Sequence, residues 1–115
     1  MPTLYEDYEI NQGTDATITH QFRNVDGTPR DLTNYSASAK LKINYAQDTG
    51  ESFSAIISTP KTNGTVNLSL TNSQTSLLNP RYRYVYDLEL SYDSDGTTII
   101  EVPLRGTVKI NPNVT

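Results

Sequence analysis

Residues 81–92 read RYRYVYDLELSY, and the large apolar or aromatic side chains fall on every second position: Tyr82, Tyr84, Tyr86, Leu88, Leu90 and Tyr92. Arg83, Val85, Asp87, Glu89 and Ser91 lie between them. A side-chain period of two belongs to a half-buried strand, because successive Cβ atoms point to opposite faces of a sheet. The period assigns Tyr84, Tyr86, Leu88 and Leu90 to a core, where burial of each contributes about 1.5–3 kcal/mol before conformational entropy is counted. Tyr82 and Tyr92 sit at the strand ends, where a hydroxyl reaches water or a partner.

The same period recurs along the chain. Residues 5–10 form a first, partly edge strand, broken by Gln12-Gly13-Thr14-Asp15. Ala16, Ile18, His20 and Phe22 then alternate with Thr17, Thr19 and Gln21. Residues 24–29 carry the Asp26-Gly27 turn signal. Tyr35, Ala37, Ala39, Leu41, Ile43 and Tyr45 share one face of the next strand, and its two central alanines mark a place where an opposing sheet comes close. Phe53, Ala55 and Ile57 make a short strand that ends at Thr59-Pro60. Asn63-Gly64 turns the chain into Val66, Leu68 and Leu70. Residues 72–78 read as one helical turn capped by Thr71 or Asn72 and stopped by Pro80. Asp93-Ser94-Asp95-Gly96 is a hairpin turn. Pro103 cannot donate to a ladder, so it marks an edge, a bulge or a switch between sheets.

About seven short strands with polar turns predict an all-β, immunoglobulin-like antiparallel β-sandwich, a single domain over residues 1–115. Tyr82 or Tyr84 stands where such folds place a tyrosine corner. Cysteine and tryptophan are absent, so the disulfide and core Trp of antibody domains are missing.

Composition narrows the function classes. With 9 basic against 13 acidic residues and a net charge of −4, the chain lacks the clustered Lys and Arg that neutralise phosphate, which argues against nucleic acid and anionic membrane surfaces as partners. No run reaches the apolar length of a membrane-spanning helix. The acidic start MPTLYEDYEI does not read as a secretory signal, so a chain suited to the cytoplasm is expected. The sequons at Asn34, Asn63 and Asn67 carry little meaning without one.

Catalytic signals are weak. His20, the single histidine, lacks an identifiable partner by spacing and reads as a hydrogen-bonded structural residue. Asp93-Ser94-Asp95-Gly96 resembles the start of a calcium loop but lacks the further ligands and closing Glu such a loop needs. Glu6, Asp7 and Glu9 read as a charged edge that discourages sheet-to-sheet pairing. The expectation is therefore no enzyme, no metal and no cofactor.

Several segments together carry a family resemblance: INQGTD (10–15), NVDGTPRDLTNY (24–35), GTVNLSLT (64–71), RYVYDLEL (83–90), LRGTVKI (104–110) and the terminal VT (114–115). Their order resembles small virion structural proteins of tailed bacteriophages and is similar to the N-terminal domain of phage baseplate upper proteins. The resemblance spans nearly the whole chain, through turns and core strands. It implies a non-enzymatic particle protein, made in the host cytoplasm and located in the virion. Its partners would be other tail, baseplate or capsid proteins, with a homo-oligomer on a symmetric particle as a further option. Baseplate upper proteins continue into a coiled coil or receptor-binding portion; the chain ends at Thr115, so an adaptor, neck, baseplate or head-surface role is expected, and first among these a tail, baseplate or fibre adaptor. The alternatives are a capsid decoration protein and, from another class, a carbohydrate-binding module on exposed tyrosines. Candidate contact residues are Leu4, Tyr5, Tyr8 and Ile10 in a strand that adds to a neighbour, Val25 and Asp26 in the 24–29 loop, and Tyr45 and Tyr92 at strand ends. The loop over residues 47–52 is a further candidate.

Overall fold

A computed structural model of the chain describes residues 3–44 and 50–113. Nine strands pair into two sheets: β1 (Leu4–Tyr5), β2 (Tyr8–Asn11), β3 (Ala16–Gln21), β4 (Ser36–Lys42), β5 (Glu51–Ser52), β6 (Ser54–Ile57), β7 (Thr65–Leu70), β8 (Arg83–Ser94) and β9 (Thr97–Asn111). In the larger sheet, β1 and β2 lie in succession along one edge of β9, and β8, β4 and β5 follow on its other side. The smaller sheet has the order β3-β7-β6. All pairings are antiparallel except those of β1 and β2 with β9. The fold is an all-β sandwich, as the alternation predicts. In immunoglobulin lettering, β3, β7 and β6 are strands B, E and D, and β4, β8 and β9 are C, F and G.

Tyr84, Tyr86, Leu88 and Leu90 are buried, and they meet Leu104, Val108 and Ile110 of β9 in one core with Val66, Leu68 and Leu70 of β7 and Ile18 and Phe22 around β3. The tyrosine corner falls to Tyr84: its hydroxyl accepts the Asn79 N–H at 2.8 Å, while Tyr82 is exposed. The chain leaves the large sheet for the small one at Phe53. The Phe53 N–H donates to the Ala39 carbonyl at 3.0 Å, and its ring lies 6.4 Å from that of Tyr86. Ala37 and Ala39 lie beside this crossing, which explains their small size.

Pro103 sits at a bulge. Leu88 pairs with Leu104 and Leu90 with Glu101, so Glu89 faces both Val102 and Pro103. The extra residue lets proline occupy a strand paired on both sides. The β8–β9 hairpin closes through Asp95 and Gly96 at φ 50° and 82°, the two positive values that a two-residue I′ turn requires.

The helical turn is α1, Asn72–Ser76. Thr71 is its cap: the Thr71 hydroxyl accepts the Gln74 N–H, and the Gln74 side chain returns to the Thr71 N–H. Thr75 is buried and donates its hydroxyl to the Thr14 carbonyl at 2.7 Å, fixing α1 to the turn before β3. A second short element, a 3₁₀ turn over Lys61–Asn63, was not anticipated from the sequence. It ends at Gly64, at φ 69°, where a Cβ would lie 2.5 Å from the Arg30 carbonyl oxygen, so only glycine fits.

Candidate protein-contact surfaces

The N-terminal segment was expected to add a strand to a neighbour. It adds to its own sheet instead, parallel to β9, from Leu4 opposite Leu104 to Asn11 opposite Asn111. The join between β1 and β2 is fastened at several points. The Glu6 N–H donates to the Arg105 carbonyl at 3.0 Å, the Tyr86 hydroxyl donates to the Glu6 carbonyl at 2.7 Å, and Asp7 Oδ1 accepts the Thr107 hydroxyl at 2.9 Å and its N–H at 3.1 Å. Gly106 makes the approach feasible, because a Cβ there would fall 1.9 Å from the Glu6 carbonyl oxygen. Burial keeps the Tyr86 phenol protonated well above its ordinary range, so it acts as a donor. The two Thr107 hydrogen bonds hold the Asp7 carboxyl below its ordinary range.

This geometry divides the four candidate contact residues of the segment. Ile10 is in the core and is unavailable for contact. Tyr8 is half-buried, its ring 5.8 Å from that of Tyr86. Leu4 and Tyr5 are exposed.

A second candidate lies at the end of the sandwich formed by the β3–β4 loop and the β8–β9 hairpin. Val25 is fully exposed at the tip of the 24–29 loop. Beside it Asp26 Oδ1 accepts the hydroxyl and the N–H of Thr28, which lowers its pKa. The loop is tied to the hairpin through Arg30, which bonds Glu101 at 2.8 Å and the Tyr35 hydroxyl at 3.1 Å. Tyr92 is half-buried with its ring 4.8 Å from that of Tyr35, so it joins the same cluster and is not a free strand-end platform. Tyr45 and residues 47–49 lie outside the described residues.

The outer faces of the two sheets differ in charge. On the large sheet, cross-strand register places Lys40, Asp87 and Arg105 in one row and Arg83, Lys109 and Glu9 in another. Asp87 and Arg105 approach to 3.7 Å. On the small sheet the rows are Thr17, Ser69 and Ser54, then Thr19, Asn67 and Ile56, then Gln21 and Thr65. Within the three strands this face carries no charged side chain; at one end the guanidinium of Arg23, just beyond β3, donates to Gln21 Oε1 at 2.7 Å. Its polar groups satisfy one another: the Thr19 hydroxyl donates to Asn67 at 2.8 Å, and the Asn67 amide donates to Ser58 at 2.8 Å. Neither composition nor period revealed this difference, although the strings ATITHQ and TVNLSL contain no Asp, Glu, Lys or Arg.

The groups that would carry catalysis are dispersed. His20 was expected to be a hydrogen-bonded residue. Its ring packs on Phe22 at 4.5 Å, and its buried Nε2 has no hydrogen-bond partner. Burial lowers its pKa, against a smaller raising influence of Glu6. Asp93 accepts the Thr98 hydroxyl within the hairpin, and Glu101 is engaged by Arg30. Among the described residues no group of three or more His, Asp or Glu is arranged to hold a metal ion. A groove of about 460 Å³ runs beside the Phe53 crossing, over Ala37, Ala39, Ala55 and Tyr86 and between Lys40 and Glu89. Tyr5 aligns with Arg105, Tyr8 with Val108 and Tyr92 with Ile99, so these three tyrosines are spread along β9 and form no common exposed platform for a sugar.

No protein-family model matches the chain, and no curated protein is similar to it in sequence.

Proposed function

We propose that the chain is a non-enzymatic structural protein of a tailed-phage particle, acting as a tail, baseplate or fibre adaptor through protein–protein contacts. The observation that carries the contact role is the uncharged outer face of the small sheet. The centres of protein interfaces are depleted in charged residues, because burying an unpaired charge is costly. In a chain with 22 charged residues, three aligned strands whose outward side chains are all uncharged favour a surface that another protein covers. The particle setting is supported by the resemblance of residues 10–15, 24–35, 64–71, 83–90 and 104–110 to small phage virion proteins. Repetition on a symmetric particle raises effective concentration, so a modest contact suffices there.

Quantitative mass spectrometry of purified particles tests this reading. A copy number of six or a small multiple supports the adaptor role. Hundreds of copies would reassign the chain to decoration of the head, and its absence from particles would overturn the virion reading.

A further inference from the structure

The outer edge of β3 is unlike the other sheet edges. The Phe22 N–H donates to the Gly64 carbonyl at 2.8 Å. That bond fixes the phase of the antiparallel β3–β7 ladder, in which hydrogen-bonded and non-bonded pairs alternate. Ala16, Ile18 and His20 therefore bond to β7, and the N–H and C=O groups of Thr17, Thr19 and Gln21 point away from it. Among the described residues β3 pairs with β7 alone, which leaves three successive donor–acceptor pairs without a strand on that side. Exposed edges are ordinarily guarded by charge, proline, bulges or shortness. Asp7 and Glu9 guard the N-terminal edge of the large sheet, and β6 is only four residues long and soon followed by Pro60. β3 is six residues long and contains Thr17, Ile18 and Thr19, all β-branched, with no Asp, Glu, Lys, Arg or Pro.

The space beside β3 is shaped for one more strand. β4 packs against β6, so the strand orders set β7 over β8 and β3 over β9. β1 and β2 then project one strand beyond β3 as a ledge. In immunoglobulin sandwiches strand A pairs beside B at this position, whereas here the N-terminal strand lies on the other sheet. Leu4 shares its facing with the fully buried Leu104, yet it is 46% exposed, since no strand of the small sheet covers it. Glu6 is near enough to His20 to act on it electrostatically, and the buried Nε2 of His20 has no hydrogen-bond partner.

We infer that the outer edge of β3 is a strand-acceptor site that takes an extended segment of a partner protein, completing the small sheet as a fourth strand. Main-chain bonds to Thr17, Thr19 and Gln21 supply the affinity, and inward side chains resting on Leu4 and Glu6 supply the selectivity. Glu6, which shares the inward facing of Leu4, selects a segment that is apolar inward and carries a lysine or arginine. The inference rests on the contact-protein reading for the source of the segment, but the site itself is testable without particles.

The probe is a capped synthetic hexapeptide alternating valine and threonine, with one inward position replaced by lysine, titrated to millimolar concentration and followed by amide hydrogen exchange. The expected result is about tenfold or greater slowing at Thr17, Thr19 and Gln21. Thr19→Pro removes an N–H that the β7 ladder does not use, so it is expected to leave the fold intact and abolish the slowing. Glu6→Lys alters only a side chain; it is expected to weaken the lysine probe and strengthen the same peptide bearing glutamate. Unchanged exchange at these three amides in the folded protein would overturn the inference. So would slowing confined to β4, or slowing that follows the protein's own concentration without peptide. Failure to find the chain in particles would remove the virion reading and leave the acceptor site standing.

Discussion

The large sheet is sealed and charged; the small sheet is open and neutral. In the large sheet the first strand closes one edge of β9, Tyr86 and Thr107 fasten it, and the exterior carries rows in which acidic and basic side chains are mixed. In the small sheet the described residues form three strands without a fourth, and the exterior is hydroxyl and amide with Ile56 among them. The N-terminal segment creates both states at once, since joining β9 rather than β3 completes one sheet and leaves the other short. Where a terminal strand pairs thus decides which surface remains available for contact.

Substitutions that unfasten the sealed edge should have the largest effect. Gly106→Ala places a methyl group against the Glu6 carbonyl and should cost about 3 kcal/mol, read as a lower urea midpoint together with faster amide exchange in β2. An unchanged midpoint would mean that β1 and β2 contribute little. Tyr84→Phe leaves the Asn79 N–H without its acceptor and should cost about 1–2 kcal/mol by the same measurement.

The next contrast concerns pH. Burial makes the folded protein bind a proton at His20 less readily than the unfolded chain, whose histidine titrates near about pH 6.5. The stability from neutral His20 is fully present above about pH 6.5 and declines as pH falls through and below that value. His20→Gln should flatten the urea midpoint between about pH 7 and pH 5.5, and an identical slope in both proteins would exclude this role. The smallest effect is expected on the neutral face. Thr19→Lys should change stability by less than about 0.5 kcal/mol, which separates a surface kept for contact from one needed for folding.

Much of the fold was legible because it is local. The alternation of residues 81–92 assigned the core face of β8 correctly, and Thr71, Asp95 and Gly96 announced a cap and a turn through their own chemistry. The remainder depends on pairings between distant residues, which no local period encodes. Residues 5–10 read as one partly edge strand, but not as two short strands parallel to the last one, broken at Glu6 and Asp7 by bonds to Tyr86 and Thr107. The link between Arg30 and Glu101 spans 71 positions, and Tyr92 was taken for a free end because nothing nearby in sequence shows Tyr35 beside it. The contact surface was the least legible part, since uncharged outer residues become a continuous face only once three strands are aligned.

The pairing of the first strand with the last also sets the order of events during synthesis. Asp7 and Thr107 are 100 positions apart, so residues 4–11 wait for about 100 further residues to be made before their partner exists. Until then residues 4–11 have no strand to pair with. The closing step joins segments 100 positions apart, which makes late completion of the large sheet the natural slow stage of maturation.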